Sequence, residues 1–335
     1  VIDIYIPSGR FVEGGLSEAK VGLEGWYTLR AIRRSGRVTR EHSFKAEACR
    51  ELPPFHNLIT NLGLDRFGSV ASNSLYLRCH VGTGTATPSV TDTQLQTFLA
   101  SVSPSTSPSE SVANSGPPDY YSYRTFTWTS AIGALGNNNL TEIGISGQNT
   151  NGLLFSRELI RDSGGNPAAF PISADEQLQV TYELRLYPNL TDVPATVMVG
   201  SNSHDTITRP IAVTNTSFWR PVSIFNSAVN AEREGGFGLH YASSSDLVPY
   251  TNAINSVAGG LSLGEASGGA TAPYTNGTFY RDISNTWNIS TGNGNIRLVT
   301  FKFFCAAFQV RYDPVITKTN TQVLTLHQRI SWARR

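Results

Sequence analysis

The hydrophobic pattern is clearest in Glu176 to Tyr187, "EQLQVTYELRLY". Leu178, Val180, Tyr182, Leu184 and Leu186 alternate there with Gln177, Gln179, Thr181, Glu183 and Arg185. A period of two held this long predicts an antiparallel strand with one face in a core and one in water. The chain ends on a second such segment, "QVLTLHQRISWARR". Leu324, Leu326, Ile330 and Trp332 share one parity, and Gln328 interrupts the apolar side. An offset of 144 residues places Ile172 on Ile316, Val180 on Leu324, Tyr182 on Leu326 and Leu186 on Ile330. Two related modules are therefore expected.

Further strands are predicted at "YRTFTWTSAI" from Tyr123, "LLFSREL" from Leu153, "GTFYRDISNTWNI" from Gly277 and "IRLVTFKFFCAAFQVRY" from Ile296. Turn-rich "GALGNNNLTE" and "STGNGN" supply connections. Strands spaced by such turns predict an all-β fold of two antiparallel β-sandwich modules, of jelly-roll or Ig-like type, with long loops and at most short helices. The expected organisation is an extended N-terminal segment with a β-hairpin over residues 1–56, a first module over 57–190 and a second over 195–335. Long exposed loops are expected at Ser101 to Pro118 and at Ser256 to Pro273, and loops of this kind commonly carry contacts with partners. A short helix capped by Thr91 or Asp92 is expected in "TDTQLQTFLA".

Composition narrows this picture. Of 335 residues, 15% are charged and 10% aromatic, which suits sheets joined by turns. The net charge of +1 gives no reason to expect nucleic acid as the main partner. One local excess joins Arg30, Arg33, Arg34, Arg37 and Arg40 to Lys45 and Arg50, against Glu41 and Glu47 alone. It reads as a solvated hairpin around Ser35-Gly36, with docking on an acidic partner as the functional alternative. Three cysteines, Cys49, Cys79 and Cys305, are too few for a disulfide framework and point to synthesis in a reducing compartment. No stretch of 18 apolar residues suggests a membrane span.

Candidate chemistry is sparse. "CHVGTGTATPSVTDTQLQ" (Cys79 to Gln96) follows an apolar strand as a nucleotide-binding loop would, but the third glycine of a dinucleotide loop is Thr87 here and no Gly-Lys-Ser/Thr follows. Gly82 and Gly84 are expected to turn the backbone rather than cradle a phosphate. Asp175-Glu176, Glu232 with Glu234, and His204-Asp205 read as surface charge or turn residues, not as a hydrolytic site. His56, His80 and His240 with Cys49 or Cys79 offer no metal spacing, and adjacent Cys79 and His80 point to opposite faces of a strand. No cofactor or metal is expected. Tyr120, Tyr121 and Tyr123 read first as packing residues and second as a surface for stacking on sugars. Tyr241, Tyr250 and Tyr274 lie around loops that could contact a receptor.

At "NLITNLGLDRFG" (Asn57 to Gly68) and "CHVGTGTATPSVTDTQLQTFLA" (Cys79 to Ala100), the chain resembles structural proteins of tailed-bacteriophage virions, of tail-fibre or tail-appendage type. The likeness continues through "TEIGI", "LFSRELIRD", "LQVTYELRLYP" and the final "ITKTNTQVLTLHQRISWAR", about half the chain. It implies a non-enzymatic virion protein made in the bacterial cytoplasm, assembling with itself, a trimer being favoured, and with other virion proteins through the basic N-terminal part. Alternatives are a receptor-binding module for a host surface glycan or protein, and a capsid decoration protein.

Overall fold

A computed structural model describes residues 10–34, 46–69, 76–105, 109–113, 120–221, 241–253, 262–303 and 305–335. In chain order the first half holds β1 (Arg10–Arg34), β2 (Ala46–Glu51), β3 (Phe55–His56), β4 (Leu58–Ile59), the helix α1 (Asn61–Ser69), β5 (Arg78–Gly82), β6 (Phe98–Val102), β7 (Ser109–Ala113), β8 (Tyr121–Thr129), β9 (Asn138–Leu140), β10 (Glu142–Ser146), β11 (Leu154–Leu159), β12 (Phe170–Ile172) and β13 (Glu176–Pro188). The second half holds β14 (Val193–Val199), β15 (Asn202–Pro210), β16 (Tyr241–Ser243), β17 (Ser262–Glu265), β18 (Gly268–Thr271), β19 (Tyr280–Trp287), β20 (Gly294–Lys302), β21 (Ala307–Lys318) and β22 (Gln322–Arg334). The protein is all-β, and α1 is the one helix among the described residues.

Both halves are built on β1. At roughly 3.3 Å per residue its 25 residues span about 80 Å. Residues Val21 to Arg33 pair antiparallel with β13. On the other edge Arg10 to Leu23 pair parallel with β22, followed by short antiparallel pairings with β3 and β2. Gly14-Gly15 interrupts the register with β22. Such a bulge shifts the side-chain phase. Beyond it Ser17, Ala19, Val21, Leu23, Tyr27, Leu29 and Ala31 all face inward, each buried. Residues 10–34, expected within an extended N-terminal segment, are thus the strand that both halves share. The predicted basic hairpin is present as the β1–β2 pair; its tip, residues 35–45, lies outside the described residues.

The two strongest predicted strands are β13 and β22, and their alternation matches burial. Leu178, Val180, Tyr182, Leu184 and Leu186 are fully buried, as are Leu326 and Ile330, with Leu324 and Trp332 nearly so. Gln328 is buried too, opposite Ser17, and its Oε1 accepts a 2.9 Å bond from Asn285 Nδ2. The 144-residue offset has a structural counterpart. Trp128 of β8 stands opposite Val180, and Trp287 of β19 stands opposite Leu324, both tryptophans fully buried. The halves differ in how they meet β1, since β13 is antiparallel to it and β22 parallel.

A second sheet, ordered β4-β11-β10-β5-β6, faces the β13–β1 region across the core. Contacts across it include a 2.9 Å hydrogen bond between the Tyr27 and Ser156 hydroxyls and the Tyr76 ring between Phe126 and Phe155. Helix α1 connects β4 to the segment before β5. Thr60 caps it, its Oγ1 accepting from Gly63 N at 2.9 Å and donating to Leu154 O at 2.7 Å. The C-terminal strand then holds the helix from the other side. Trp332 Nε1 donates to Leu64 O at 2.9 Å, and Arg334 reaches Ile59 O and Asn61 Oδ1.

Three expectations are corrected. Residues 91–100 form no helix: Glu142 takes the backbone N–H groups of Gln96 and Thr97, and the chain enters strand β6 at Phe98. The expected loop from Ser101 is partly ordered by β6, a Pro104–Trp128 bridge and β7 on the edge of β8. The expected loop to Pro273 contains β17 and β18, which pair with β16 and β19. In the last two cases an available sheet edge supplies bonds that the local sequence does not announce, and in the first a buried carboxylate does.

Gly63 tests the packing of α1. Alanine ordinarily stabilises a helix interior by roughly 0.5–1 kcal/mol over glycine, but a Cβ here would lie 2.0 Å from Phe155 O. Gly63→Ala is expected to lower stability by about 1–3 kcal/mol in urea unfolding; a gain would show that the helix can shift away from β11.

Candidate functional site

The Gly-Thr run that resembles a phosphate loop forms an anion site, and the anion is the protein's own. Glu142, at the start of β10, is fully buried. Its carboxylate accepts from Gly84 N at 3.1 Å, Gln96 N at 3.0 Å and Thr97 N at 2.6 Å. Arg157 of β11 adds Nε at 3.1 Å and Nη2 at 2.8 Å. Glycine is required beside this carboxylate, because a Cβ on Gly82 or Gly84 would meet Glu142 Oε1 at 2.7 or 2.4 Å.

The same arginine fastens the far side of the loop. Arg157 Nη1 donates to Asp92 Oδ2 at 2.6 Å and Nη2 to Ala86 O at 3.0 Å, while Asp92 Oδ2 also accepts from Ser89 N at 2.8 Å. Burial opposes the charge on Arg157, but its bonds to Asp92 and Glu142 outweigh this and raise its pKa. Gln96 Oε1 closes the turn by accepting from Thr85 N and Ala86 N, each at 2.7 Å, and Thr141 Oγ1 donates to Gly84 O at 2.7 Å. The backbone amides of Thr83, Gly84, Thr85 and Ala86, which a phosphate loop would aim at a ligand, are all taken by the protein itself. Glu142 and Arg157 were missed in the sequence; the available signal was charge within otherwise apolar strands, Glu142 in "EIGIS" and the Arg157-Glu158 pair in "LFSREL".

The residues singled out from the sequence fall in separate places. Arg30 bonds Glu51 at 3.0 Å, and Arg33 Nε meets Asp175 at 2.7 Å. Glu176, fully buried, accepts from Arg50 at 2.6 Å and from Ser173 N at 2.9 Å. The side chain of Arg34, and Arg37 and Arg40 entirely, lie outside the described residues. Tyr274 donates to Asp65 Oδ1 of α1 at 2.7 Å and stacks on Trp332. Tyr250 packs edge-on against Tyr120. The Tyr241 side chain lies outside the described residues.

Cys79 faces the core, where burial pushes its thiol pKa up, while His80 Nε2 meets Gln148 O at 2.8 Å. His204 Nδ1 meets Pro314 O at 2.6 Å, and Asp205 accepts from Thr196. Glu232, Glu234, His240 and the Cys49 side chain lie outside the described residues. Among the described residues no group of three His, Cys, Asp or Glu side chains could hold a metal, and no helix is long and apolar enough to cross a membrane. No family model matches the chain, and no curated protein or solved structure is significantly similar to it.

A second cluster stands on the outward face of β1, β13 and β8. Arg185 Nε donates to Glu183 at 2.6 Å, and its guanidinium lies over the rings of Trp26 at 4.9 Å and Tyr121 at 4.7 Å. Tyr187 donates to Glu24 at 2.6 Å, and His56 Nδ1 lies 3.2 Å from the same carboxylate. Burial, then the bond to Glu24, pushes the Tyr187 phenol up to about 12.

Two outcomes test the loop. Glu142→Ala leaves Arg157 with one buried carboxylate partner fewer and three amides unsatisfied, and is expected to cost about 3–5 kcal/mol in urea unfolding, with new proteolytic cleavage between residues 83 and 97. Millimolar inorganic phosphate or nucleotide is expected to leave the wild-type melting temperature unchanged, since a ligand that binds the folded state raises it; a dose-dependent rise would mean that the loop admits an external anion.

Proposed function

We propose that this protein is a non-enzymatic structural component of a tailed-bacteriophage virion, in the tail or a tail appendage such as a fibre or collar, assembling as a homo-oligomer. One observation carries the reading. The segments on which the resemblance rests, far apart in the chain, meet as two interlocked units. "NLITNLGLDRFG" provides α1, clamped by Trp332 and Arg334 of the final strand. "GTGTATPSVTDTQLQ" provides the loop closed by Glu142 of "TEIGI" and Arg157 of "LFSRELIRD". What the resemblance shares is thus the means of holding a scaffold together.

The finer architecture we infer is two antiparallel β-sandwich modules joined through β1. A shared strand of that length resists separation of the modules, which suits a part that carries load within an assembly. Its partners on this reading are further copies, with a trimer favoured, and neighbouring virion proteins. A receptor-binding module is the second reading, favoured by the outward aromatic cluster on β1, β13 and β8.

Light scattering of the purified chain is expected to give three times the chain mass, and antibody labelling of intact virions is expected to mark the tail. A monomer at micromolar concentration together with unlabelled tails would overturn the proposal.

A further inference from the structure

The outward face of β1, β13 and β8 has a composition that neither a core nor an assembly contact requires. Cross-strand register sets its residues in rows. Gly22 lies beside Tyr187, Glu24 beside Arg185 and Tyr123, Trp26 beside Glu183 and Thr125, and Thr28 beside Thr181 and Thr127. Neighbouring strands lie about 4.8 Å apart, so Thr28, Thr181 and Thr127 form a continuous hydroxyl lane. Two rows further along β8, about 13 Å from Thr127 at 3.3 Å per residue, Tyr123 and then Tyr121 form an aromatic shelf, with ring centroids 6.0 Å apart. Both tyrosines and the three threonines are partly exposed.

Charge on the face is balanced internally, with two arginines, Arg185 and the Arg335 that lies over the Tyr187 ring, against two carboxylates, Glu24 and Glu183. Arg185 is held by Glu183 and lies 3.9 Å from Glu24, and Glu24 also takes Tyr187 and faces His56. A strongly anionic or cationic partner would meet no unpaired field. A second copy of the chain would find poor complementarity as well, because no aliphatic side chain faces outward between the Gly22 and Thr28 rows. The hydroxyls of Thr28, Thr125, Thr127 and Thr181 bond nothing among the described residues. What remains on offer is a ring face for stacking, hydroxyls with no partner among the described residues, and fixed carboxylate and guanidinium groups at one side. That set complements a neutral polyhydroxylated chain, whose C–H faces stack on aromatic rings and whose hydroxyls both donate and accept.

The geometry points to a neutral glycan-binding platform on this sheet face. A polysaccharide would stack on Tyr123, beside a Tyr121 ring held by Arg185 and Tyr187, and extend over Thr125 to the Thr28–Thr181–Thr127 lane, with Glu183 and Arg185 fixing its orientation by hydrogen bonds. This stands apart from the loops around Tyr250 and Tyr274, and it holds whether the protein is a tail part or not.

The test is native electrophoresis of the full chain in gels containing dextran, mannan, soluble β-glucan or arabinogalactan, with alginate as an acidic comparison. At least one neutral polysaccharide is expected to retard the protein. Tyr123→Ala, removing the shelf's less packed ring, is expected to weaken that retardation about tenfold, and Thr181→Lys, blocking the lane, to abolish it. Unchanged thermal unfolding of Thr181→Lys separates loss of binding from loss of folding. Tyr250→Ala is expected to bind as wild type. The proposal is overturned by any of three results: no retardation in the neutral gels, retardation by alginate alone, or retardation that survives both face variants. It is also overturned if Thr181→Lys instead dissociates an oligomer, which would make the face a contact between copies.

Discussion

The inward face of β1 is the constraint on which both halves of this protein depend. From Ser17 to Ala31 every second residue is buried, Gly25 among them, and β13 and β22 line its opposite edges over overlapping stretches. A strand with both edges paired has its register fixed twice. Moving β1 by one residue would expose Leu23, Leu29 and Ala31 to water and bury Glu24 and Arg30, so neither half can adjust alone. The buried residues of the two halves accordingly form one continuous core. Polar groups in that core mark where the strands must align: Tyr27 opposite Tyr182 in one half, Ser17 opposite Gln328 in the other.

The loop between β5 and β6 shows the same economy by electrostatic means. An irregular segment laid over a sheet would leave amides without partners, and a buried carboxylate without partners would be costly. Here each solves the other's problem. Glu142 receives three amides and a guanidinium, and Arg157 passes the connection on to Asp92 and Ala86. The glycines belong to this arrangement because the carboxylate must approach the backbone closely. A motif that looks suited to a phosphate is suited to an anion in general, and the tertiary structure provides one from a strand 58 residues away.

How much could be read in advance varied with how local the cause was. β13 and β22 were legible because alternation over a dozen residues leaves little choice of face. β1 was not, although it is the longest strand: the Gly14-Gly15 bulge shifts its phase, and Ser17 and Gly25 dilute its apolar side. The expected helix over 91–100 failed because Glu142 captures the amides that a helix would need. Gln328 looked like an interruption in the final strand and is instead a buried partner of Asn285. Of the outward aromatic cluster, Tyr121 and Tyr123 were visible in the sequence, while Trp26, Glu24 and Arg185 join them only through strand pairing.

The sequence by itself determined that this chain is made of strands, which side of the strongest ones is apolar, and that two of them repeat at a fixed spacing. Those properties follow from backbone geometry and side-chain burial over neighbouring residues. Only the tertiary structure decided that one strand serves both halves, that a glycine loop closes on an internal carboxylate, and that tyrosines and threonines from three strands share one face. Each of these depends on pairing between residues far apart in the chain, and pairing at long range is set by the fit of whole faces and edges, which a local pattern does not contain.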